Sequence, residues 1–196
     1  MVKLGLTGPT GAGKSTVALL LSQRGIPLVD ADAIARTVTA KGSPVLPALA
    51  DAFGGDILLP DGSLDRKALA AVAFSSKENT ARLNALTHPA ILARIRAALE
   101  RAKGDAVILD APLLFETGLD ALCDHTAAIV ADDSVRLARI TARDAISEEE
   151  AKKRMAAQPD TAFYAARADI LLYNNGDKTP AALAATLFEQ IGRWRT

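Results

Sequence analysis

The chain has 196 residues, a length that suits one α/β domain, and its 49% hydrophobic and 23% charged residues are a balance typical of a soluble globular protein. Lysine plus arginine and aspartate plus glutamate number 23 each, which excludes a molecule-wide field that would attract nucleic acid or an anionic membrane. The single cysteine, Cys123, excludes an internal disulfide framework and a cysteine-built metal site. We interpret it as a packing residue.

No apolar run of about 18 residues predicts a membrane span, and the N-terminus lacks a signal-peptide pattern, so the sequence predicts a cytoplasmic protein.

Short apolar runs alternate with helical patterns along the chain. Gly25 is placed to end the first helix and Pro180 to begin the last one, and an aspartate or serine at the start of 132–144 is placed to cap another. Five apolar runs have the flanking turn and cap residues of buried parallel strands, at 2–7, 27–30, 106–110, 127–131 and 170–173. The alternation predicts an α/β fold with a five-stranded, mainly parallel sheet and helices on both faces.

The first predicted strand leads into the glycine-rich segment GPTGAGKS, which opens a predicted helix. This context is the one in which a phosphate-binding loop works: glycines let the backbone N–H groups close around phosphate oxygens at a helix N-terminus. A chance glycine-rich turn is the alternative. The Lys14 ammonium would reach the β- and γ-phosphates, and the Ser15 hydroxyl would ligate Mg²⁺. The residues predicted to hold ATP are Gly8, Gly11, Ala12, Gly13, Lys14, Ser15 and Thr16.

A small chain with a large insertion after the second predicted strand favours a kinase of small molecules over other nucleotide-binding proteins. The guanine-reading NKxD pattern and an ATP-binding-cassette signature are absent from the sequence. A helical insertion at about 33–103 is placed to bind the acceptor, and the stretch 80–104 predicts two helices, the second opening near His88. A charged helical segment within 140–166 predicts a small lid.

Asp30 and Asp32 end the second predicted strand, where open α/β sheets bind their ligands. On a continuing strand both carboxylates would face one side, and one could accept the proton of the acceptor hydroxyl. If a helix begins here, Asp32 could instead cap it. For Asp30, contact with a Mg²⁺-bound water and pairing with Arg36 are the alternatives to a role in the reaction.

Three arginines, Arg136, Arg139 and Arg143, follow one another at helical spacing and share one face. They form either a solvated charged face or a clamp on the transferring phosphate, for which guanidinium geometry is well suited. The loop after the last strand, YNNG at 173–176, contains an asparagine that could pair with the adenine edge or serve only the turn.

Seven segments together make the resemblance specific. In order they are TGPTGAGKST, VDADAIAR, LDRKAL, LTHPAI, LDAPLLFE, RITARD and ADILLYNNG. The chain resembles the dephospho-coenzyme A kinase family in their order and spacing over nearly its whole length. The resemblance implies transfer of the ATP γ-phosphate to the ribose 3′-hydroxyl of dephospho-coenzyme A, the last step of coenzyme A synthesis.

The resemblance also assigns roles to individual residues. It implies Asp32 as the base, Lys14 at the phosphates, Arg139 and Arg143 as phosphate-binding arginines, and Asn174 at the adenine. Arg154 and Gln158 would belong to a mobile lid. The acceptor site would involve Asp30, Arg66, His88, Pro112, Leu113, Phe115 and Glu116.

Several of these residues have structural alternatives. His88 could cap a helix, Phe115 could be a core residue, and Asp110 ends its strand as a Mg²⁺-binding aspartate would, although that position is not reliably acidic in the family. Trp194 is expected to pack the last helix against the body of the protein. The competing functions are a kinase of another nucleoside, nucleotide or sugar acid, and a non-catalytic nucleotide-binding switch.

Overall fold

In the computed structural model, which describes residues 1–195, the five predicted strands form one sheet. All pairings are parallel, in the order β2-β3-β1-β4-β5, so the predicted fold class is confirmed. The strands are β1 (Val2–Thr7), β2 (Leu28–Asp30), β3 (Ala106–Asp110), β4 (His125–Val130) and β5 (Ile170–Tyr173). The central strand β1 has β3 on one side and β4 on the other, and chain connections diverge at this point. A crevice at the carboxyl ends of the strands is therefore where a ligand is expected.

The three helix ends predicted from Gly25, Pro180 and the start of 132–144 are confirmed. Gly25 has a φ of 87° just after the first helix, and Thr179 caps the last one through its hydroxyl. Asp132 is the N-cap residue of the sixth helix, although its side chain makes no capping hydrogen bond. Within the described residues the α-helices are α1 (Lys14–Gln23), α2 (Ala31–Val38), α3 (Val45–Phe53), α4 (Arg66–Ala73), α5 (Lys77–Arg101), α6 (Asp133–Asp144), α7 (Glu148–Ala156), α8 (Thr161–Ala165) and α9 (Pro180–Trp194).

The chain divides into two compact units. Residues 1–30 and the segment from Arg101 onward form the sheet unit, and Ala31–Glu100 form the helical unit. The main core of the sheet unit packs β1, β3 and β4 against α1 and α9, and its fully buried members include Leu4, Leu21 and Ile108. No helix within residues 1–195 combines the length and apolar character needed to cross a membrane.

The expected break at His88 is wrong, because α5 runs without interruption through Pro89. A proline inside a helix removes one backbone donor and crowds the carbonyl four residues earlier, at a cost of about 3 kcal/mol or more. Thr87, Ile95 and Leu99 are buried on the two sides of the proline. Tertiary burial of this kind stabilises a helix more than intrinsic propensity does, so the helix continues, and His88 lies within it and caps nothing.

Candidate active site

The phosphate-binding loop joins β1 to α1, and its backbone requires glycine at three positions. Gly8, Gly11 and Gly13 have positive φ angles of 145°, 78° and 90°. A Cβ at Gly8 would overlap the carbonyl oxygen of Ile129, and one at Gly13 would overlap the Asn174 carboxamide. The motif residues are therefore held by backbone conformation and by neighbours that approach too closely for any side chain.

Lys14, the first residue of α1, is buried and forms an ion pair with the Asp110 carboxylate at the end of β3. In the sheet register, Asp110 lies beside Leu6 of β1 and beside Asp30 of β2. A lysine and two carboxylates thus occupy the carboxyl edge of adjacent strands. Asp110 was predicted as a possible Mg²⁺ ligand, and its pairing with Lys14 is a further contact that the sequence did not reveal.

A cavity of about 820 Å³ lies against this loop within the sheet unit. Its lining brings together a large part of the predicted phosphate site, including the exposed hydroxyls at the start of α1 and two arginines of α6. The predicted site residues on its wall are Gly8, Gly11, Gly13, Lys14, Ser15, Thr16, Pro112, Arg139 and Arg143, and Thr10 and Gln158 also line it.

The three arginines of α6 have different environments, which equal spacing could not predict. The Arg136 side chain is only 4% exposed and donates from Nε to the Thr10 carbonyl oxygen at 3.0 Å, so a solvated face is wrong for this residue. Arg139 donates from Nη1 to the Gly11 carbonyl oxygen at 3.3 Å. Both guanidinium groups therefore contact the backbone of the phosphate loop.

Arg143 is mostly exposed and is held by its neighbour Asp144 through two hydrogen bonds of 2.7 and 3.0 Å. The same carboxylate accepts from Arg154 Nη1 of α7 at 2.9 Å. The hydrogen bond from Arg143 is the main cause that lowers the pKa of Asp144, and the same bond raises the pKa of Arg143. One carboxylate thus joins two cations from successive helices beside the cavity. The rest of the charged run on α7 is exposed, as predicted.

Asn174 is 3% exposed, and its Nδ2 donates to the Ala12 carbonyl oxygen of the phosphate loop at 2.8 Å. The next residue, Asn175, accepts from the Asp132 backbone N–H at 2.8 Å, immediately before α6. The predicted adenine contact of Asn174 stays a prediction. Its contact with the loop had no sequence signal, because 162 positions separate the two residues.

The predicted acceptor residues that follow β3 lie in a turn of the sheet unit. The Pro112 carbonyl oxygen accepts from the Thr7 hydroxyl at 3.1 Å, whereas Leu113 and Glu116 are exposed. Phe115 is partly buried in a cluster with Ala128, Val130 and Tyr164 and meets the Phe163 ring edge-on at 6.2 Å. This position agrees with the packing alternative for Phe115.

In the helical unit, α2 begins at Ala31, so Asp32 lies inside its first turn. Two alternatives are therefore wrong: Asp32 does not cap a helix that starts after it, and it does not continue the strand beside Asp30. Asp32 instead lines a cavity of about 390 Å³ with Arg36 and Arg66, and His88 is not part of its wall. Arg66 also donates to the Arg36 carbonyl oxygen at 3.1 Å. The remaining wall is largely apolar and includes Leu69, Phe74, Leu83 and Ile91.

Two residues interpreted as structural have the expected surroundings. Trp194 stacks on His125 with 3.9 Å between ring centroids and an interplanar angle of 6°, and it packs against the main core. Cys123 is half-buried, and burial, aided by Asp120 and Asp124, raises the pKa of its thiol to about 12. The thiol is therefore protonated at neutral pH.

Comparison with known protein families identifies the family to which the chain belongs. A model of the dephospho-CoA kinase family matches residues 2–179, from β1 to the start of the last helix. The chain belongs to the dephospho-CoA kinase family. A dephospho-CoA kinase from Corynebacterium efficiens is 45% identical to this kinase over 179 residues, which cover 90% of each chain.

Two solved structures resemble the fold of this chain. A crystal structure of TT1252 from Thermus thermophilus has a TM-score of 0.83 and 35% identity to this family member, with 96% and 97% of the two chains covered. The dephospho-CoA kinase from Campylobacter jejuni has a TM-score of 0.62 at 24% identity, with 96% of each chain covered. The second likeness supports the fold alone, which is that of a P-loop kinase.

Proposed function

We propose that this member of the family transfers the γ-phosphate of ATP to the 3′-hydroxyl of the ribose of dephospho-CoA and so forms coenzyme A. The observation that carries the proposal is the single cavity in which the phosphate loop, Lys14 and two arginines lie together. That set of groups is suited to phosphoryl transfer, because catalysis of this reaction depends mainly on positioning and on stabilising charge. The acceptor is inferred from the relatives, which are named dephospho-CoA kinases.

ATP would bind with its phosphates against the N–H groups of the loop and the N-terminus of α1. The Lys14 ammonium would leave Asp110 and bind phosphate oxygens. The Arg143 guanidinium would likewise leave Asp144 and bind phosphate oxygens. Arg139 lines the same cavity and would stabilise charge on the transferring group. An arginine in this role can contribute roughly 10³-fold or more to the rate.

Mg²⁺ fits the oxygen donors at this edge of the sheet. Within residues 1–195, no group of three or more His, Cys, Asp or Glu side chains could form a metal site of its own. Mg²⁺ commonly binds through one or two protein ligands together with substrate phosphates, and the Ser15 hydroxyl with Asp110 or Asp30 offers such ligands. When bound, Mg²⁺ would neutralise charge on the β- and γ-phosphates.

Asp32 is the proposed base for the acceptor hydroxyl. It follows the last residue of β2 by two positions, and its carboxylate lines a cavity with Arg36 and Arg66. The guanidinium groups suit the diphosphate of dephospho-CoA, and the apolar wall suits its pantetheine arm. A ribose hydroxyl held beside the carboxylate would transfer its proton to Asp32 as the new O–P bond forms.

The deciding experiment measures ADP formation with Mg²⁺-ATP and a panel of acceptors. Dephospho-CoA should support turnover, and fragmentation mass spectrometry should place the new phosphate on the 3′-oxygen. Turnover with a nucleoside, nucleotide or sugar acid, and none with dephospho-CoA, would contradict the proposed acceptor. Binding of ATP without its consumption in the presence of any acceptor would favour the non-catalytic switch.

A cytoplasmic location stays a prediction, supported by the Cys123 thiol, which forms no disulfide.

A further inference from the structure

A glutamine after α7 forms two hydrogen bonds at the phosphate loop that the proposed mechanism does not use. Gln158 Oε1 accepts from the Thr10 backbone N–H at 3.0 Å and from Arg136 Nη2 at 3.3 Å. Arg136 Nε in turn donates to the Thr10 carbonyl oxygen at 3.0 Å. The three residues form a closed ring in which both polar backbone groups of Thr10 are bound by side chains from elsewhere in the chain.

The conformation of the loop explains why Thr10 needs such partners. The Ala12 N–H donates to the Pro9 carbonyl oxygen at 3.2 Å, which closes a four-residue turn with Thr10 and Gly11 at its centre. Gly11 has a φ of 78°, whereas Thr10 is not among the residues with positive φ. These signs define a type II turn, in which the turn's own hydrogen bond leaves the N–H and C=O of the first central residue without a partner.

The partner on α6 is rigidly placed. A Cβ at Gly11 would lie 2.9 Å from the Arg136 carbonyl oxygen and 3.0 Å from Ile140 Cγ1, so the backbone of α6 lies directly against the turn. The Arg136 side chain is buried, whereas its carboxylate partner Asp133 is largely exposed. The Gln158 oxygen therefore supplies a neutral acceptor to a buried guanidinium and to a partly buried turn at once, and a lost partner there leaves polar groups unsatisfied.

We propose that Gln158 is a positioning residue that, through Arg136 and the Thr10 peptide, holds the phosphate loop in the conformation that binds ATP. Gln158 lies two residues after the end of α7, the helix that also carries Arg154. Displacement of this segment would remove the acceptor from the Thr10 N–H. These hydrogen bonds couple the loop to the predicted lid. The inference rests on the proposed function only in its turnover readout.

The test compares Gln158→Leu, which keeps the size and removes the acceptor, with Gln190→Leu. Gln190 accepts from Arg193 at 3.5 Å within α9 and provides a matched glutamine–arginine pair outside the site. Calorimetric titration with Mg²⁺-ATP in the absence of acceptor should show about tenfold weaker binding for Gln158→Leu, as expected when a hydrogen bond is lost and its partners stay buried. Gln190→Leu should bind ATP as the parent does. Unchanged ATP affinity in Gln158→Leu would overturn the proposal.

A double-mutant cycle separates positioning from direct contact with nucleotide. Thr10→Pro removes the N–H at a turn position that favours proline, so Gln158→Leu should cost less than threefold in this background. Equal losses in both backgrounds would show that Gln158 acts independently of Thr10 and would overturn the proposal.

Gln158→Glu provides a test that does not depend on the folding of the proline variant. It retains the acceptor, and at high salt, which screens the added charge, it should recover most of the affinity that leucine loses. A glutamate variant as weak as leucine under these conditions would contradict the positioning role.

Steady-state kinetics complete the assignment. The KM for ATP should rise in Gln158→Leu while kcat at saturating ATP changes less than threefold, because loop geometry is restored by bound nucleotide. A fall in kcat with unchanged KM would contradict positioning. Failure of every variant and of the parent to phosphorylate dephospho-CoA would contradict the proposed function instead, and the ATP titrations would still test Gln158.

Discussion

The two units of the chain hold their candidate binding residues in different ways. In the sheet unit, the phosphate loop is bound by side chains far away in sequence, such as Asn174 at Ala12 and Arg136 at Thr10. In the helical unit, an apolar cluster joins α3 and α4, with Leu49, Ile57 and Leu69 among its buried members, and most of its hydrogen bonds are local. A site made of backbone N–H groups works only if the backbone is held in place, whereas an apolar cavity for a large acceptor depends mainly on shape.

The largest effect is expected from a substitution in the helical unit. Asp32→Asn should lower kcat by about 10²–10⁴, the usual contribution of a general base, and should leave ATP affinity nearly unchanged. Rapid-quench turnover and ATP titration of the same preparation measure the two quantities. A variant with full turnover would remove Asp32 from the chemistry.

Two glycines with similar φ angles make the contrast between the units measurable. Gly13→Ala places a Cβ against the Asn174 carboxamide at a φ of 90°, whereas Gly62 has a φ of 80° and open space around it. We expect Gly13→Ala to weaken ATP binding more than tenfold, since it displaces the loop. Gly62→Ala should cost only backbone strain of about 1–2 kcal/mol and leave ATP affinity intact.

Equal effects of the two alanines on ATP affinity would contradict the view that the phosphate loop is more tightly constrained than the turn at Gly62. Chemical denaturation of both variants separates a loss of binding from a loss of folding.

A smaller effect, on the stability of the folded protein, is expected when Asp144 is substituted. The pKa of this carboxyl group is lowered mainly by the hydrogen bond from Arg143. A carboxylate with a depressed folded-state pKa stabilises the protein above its ordinary pKa of about 3.9, and this contribution is lost as the pH falls through the folded-state value. Asp144→Asn should therefore be less stable than the parent at pH 5–7. The difference in stability should shrink as the pH falls below about 3.9, and a difference that stays constant over the whole range would contradict the assignment.

The smallest effect on function is expected at Cys123, which lies away from both cavities. Because burial raises the pKa of this thiol to about 12, iodoacetamide should label the native protein far more slowly than the urea-unfolded chain at pH 8. The folded state holds the proton more tightly, so stability should decline as the pH rises above the ordinary thiol pKa of about 8.5. Rapid native-state labelling would contradict this environment.

Local patterns predicted the strands, three of the helix ends and the phosphate loop, because each depends on residues that are adjacent or a few positions apart. The loop glycines, Lys14 and Ser15 are contiguous, and Gly25 and Pro180 act on their own helices. The continuity of α5 was predicted wrongly, since burial of side chains on both sides of Pro89 outweighs the local preference to end a helix there.

The class of chemistry follows from the amino-acid sequence, because one short segment encodes the phosphate-binding loop and seven segments carry the family resemblance. Which arginines line the cavity and which bind the phosphate loop became clear from the three-dimensional packing. Arg136, Arg139 and Arg143 share one helical face, yet the first is buried against Thr10 and the third is paired with Asp144. Burial and long-range hydrogen bonds arise from how distant segments pack, and periodicity along one helix carries no information about the segment that covers it.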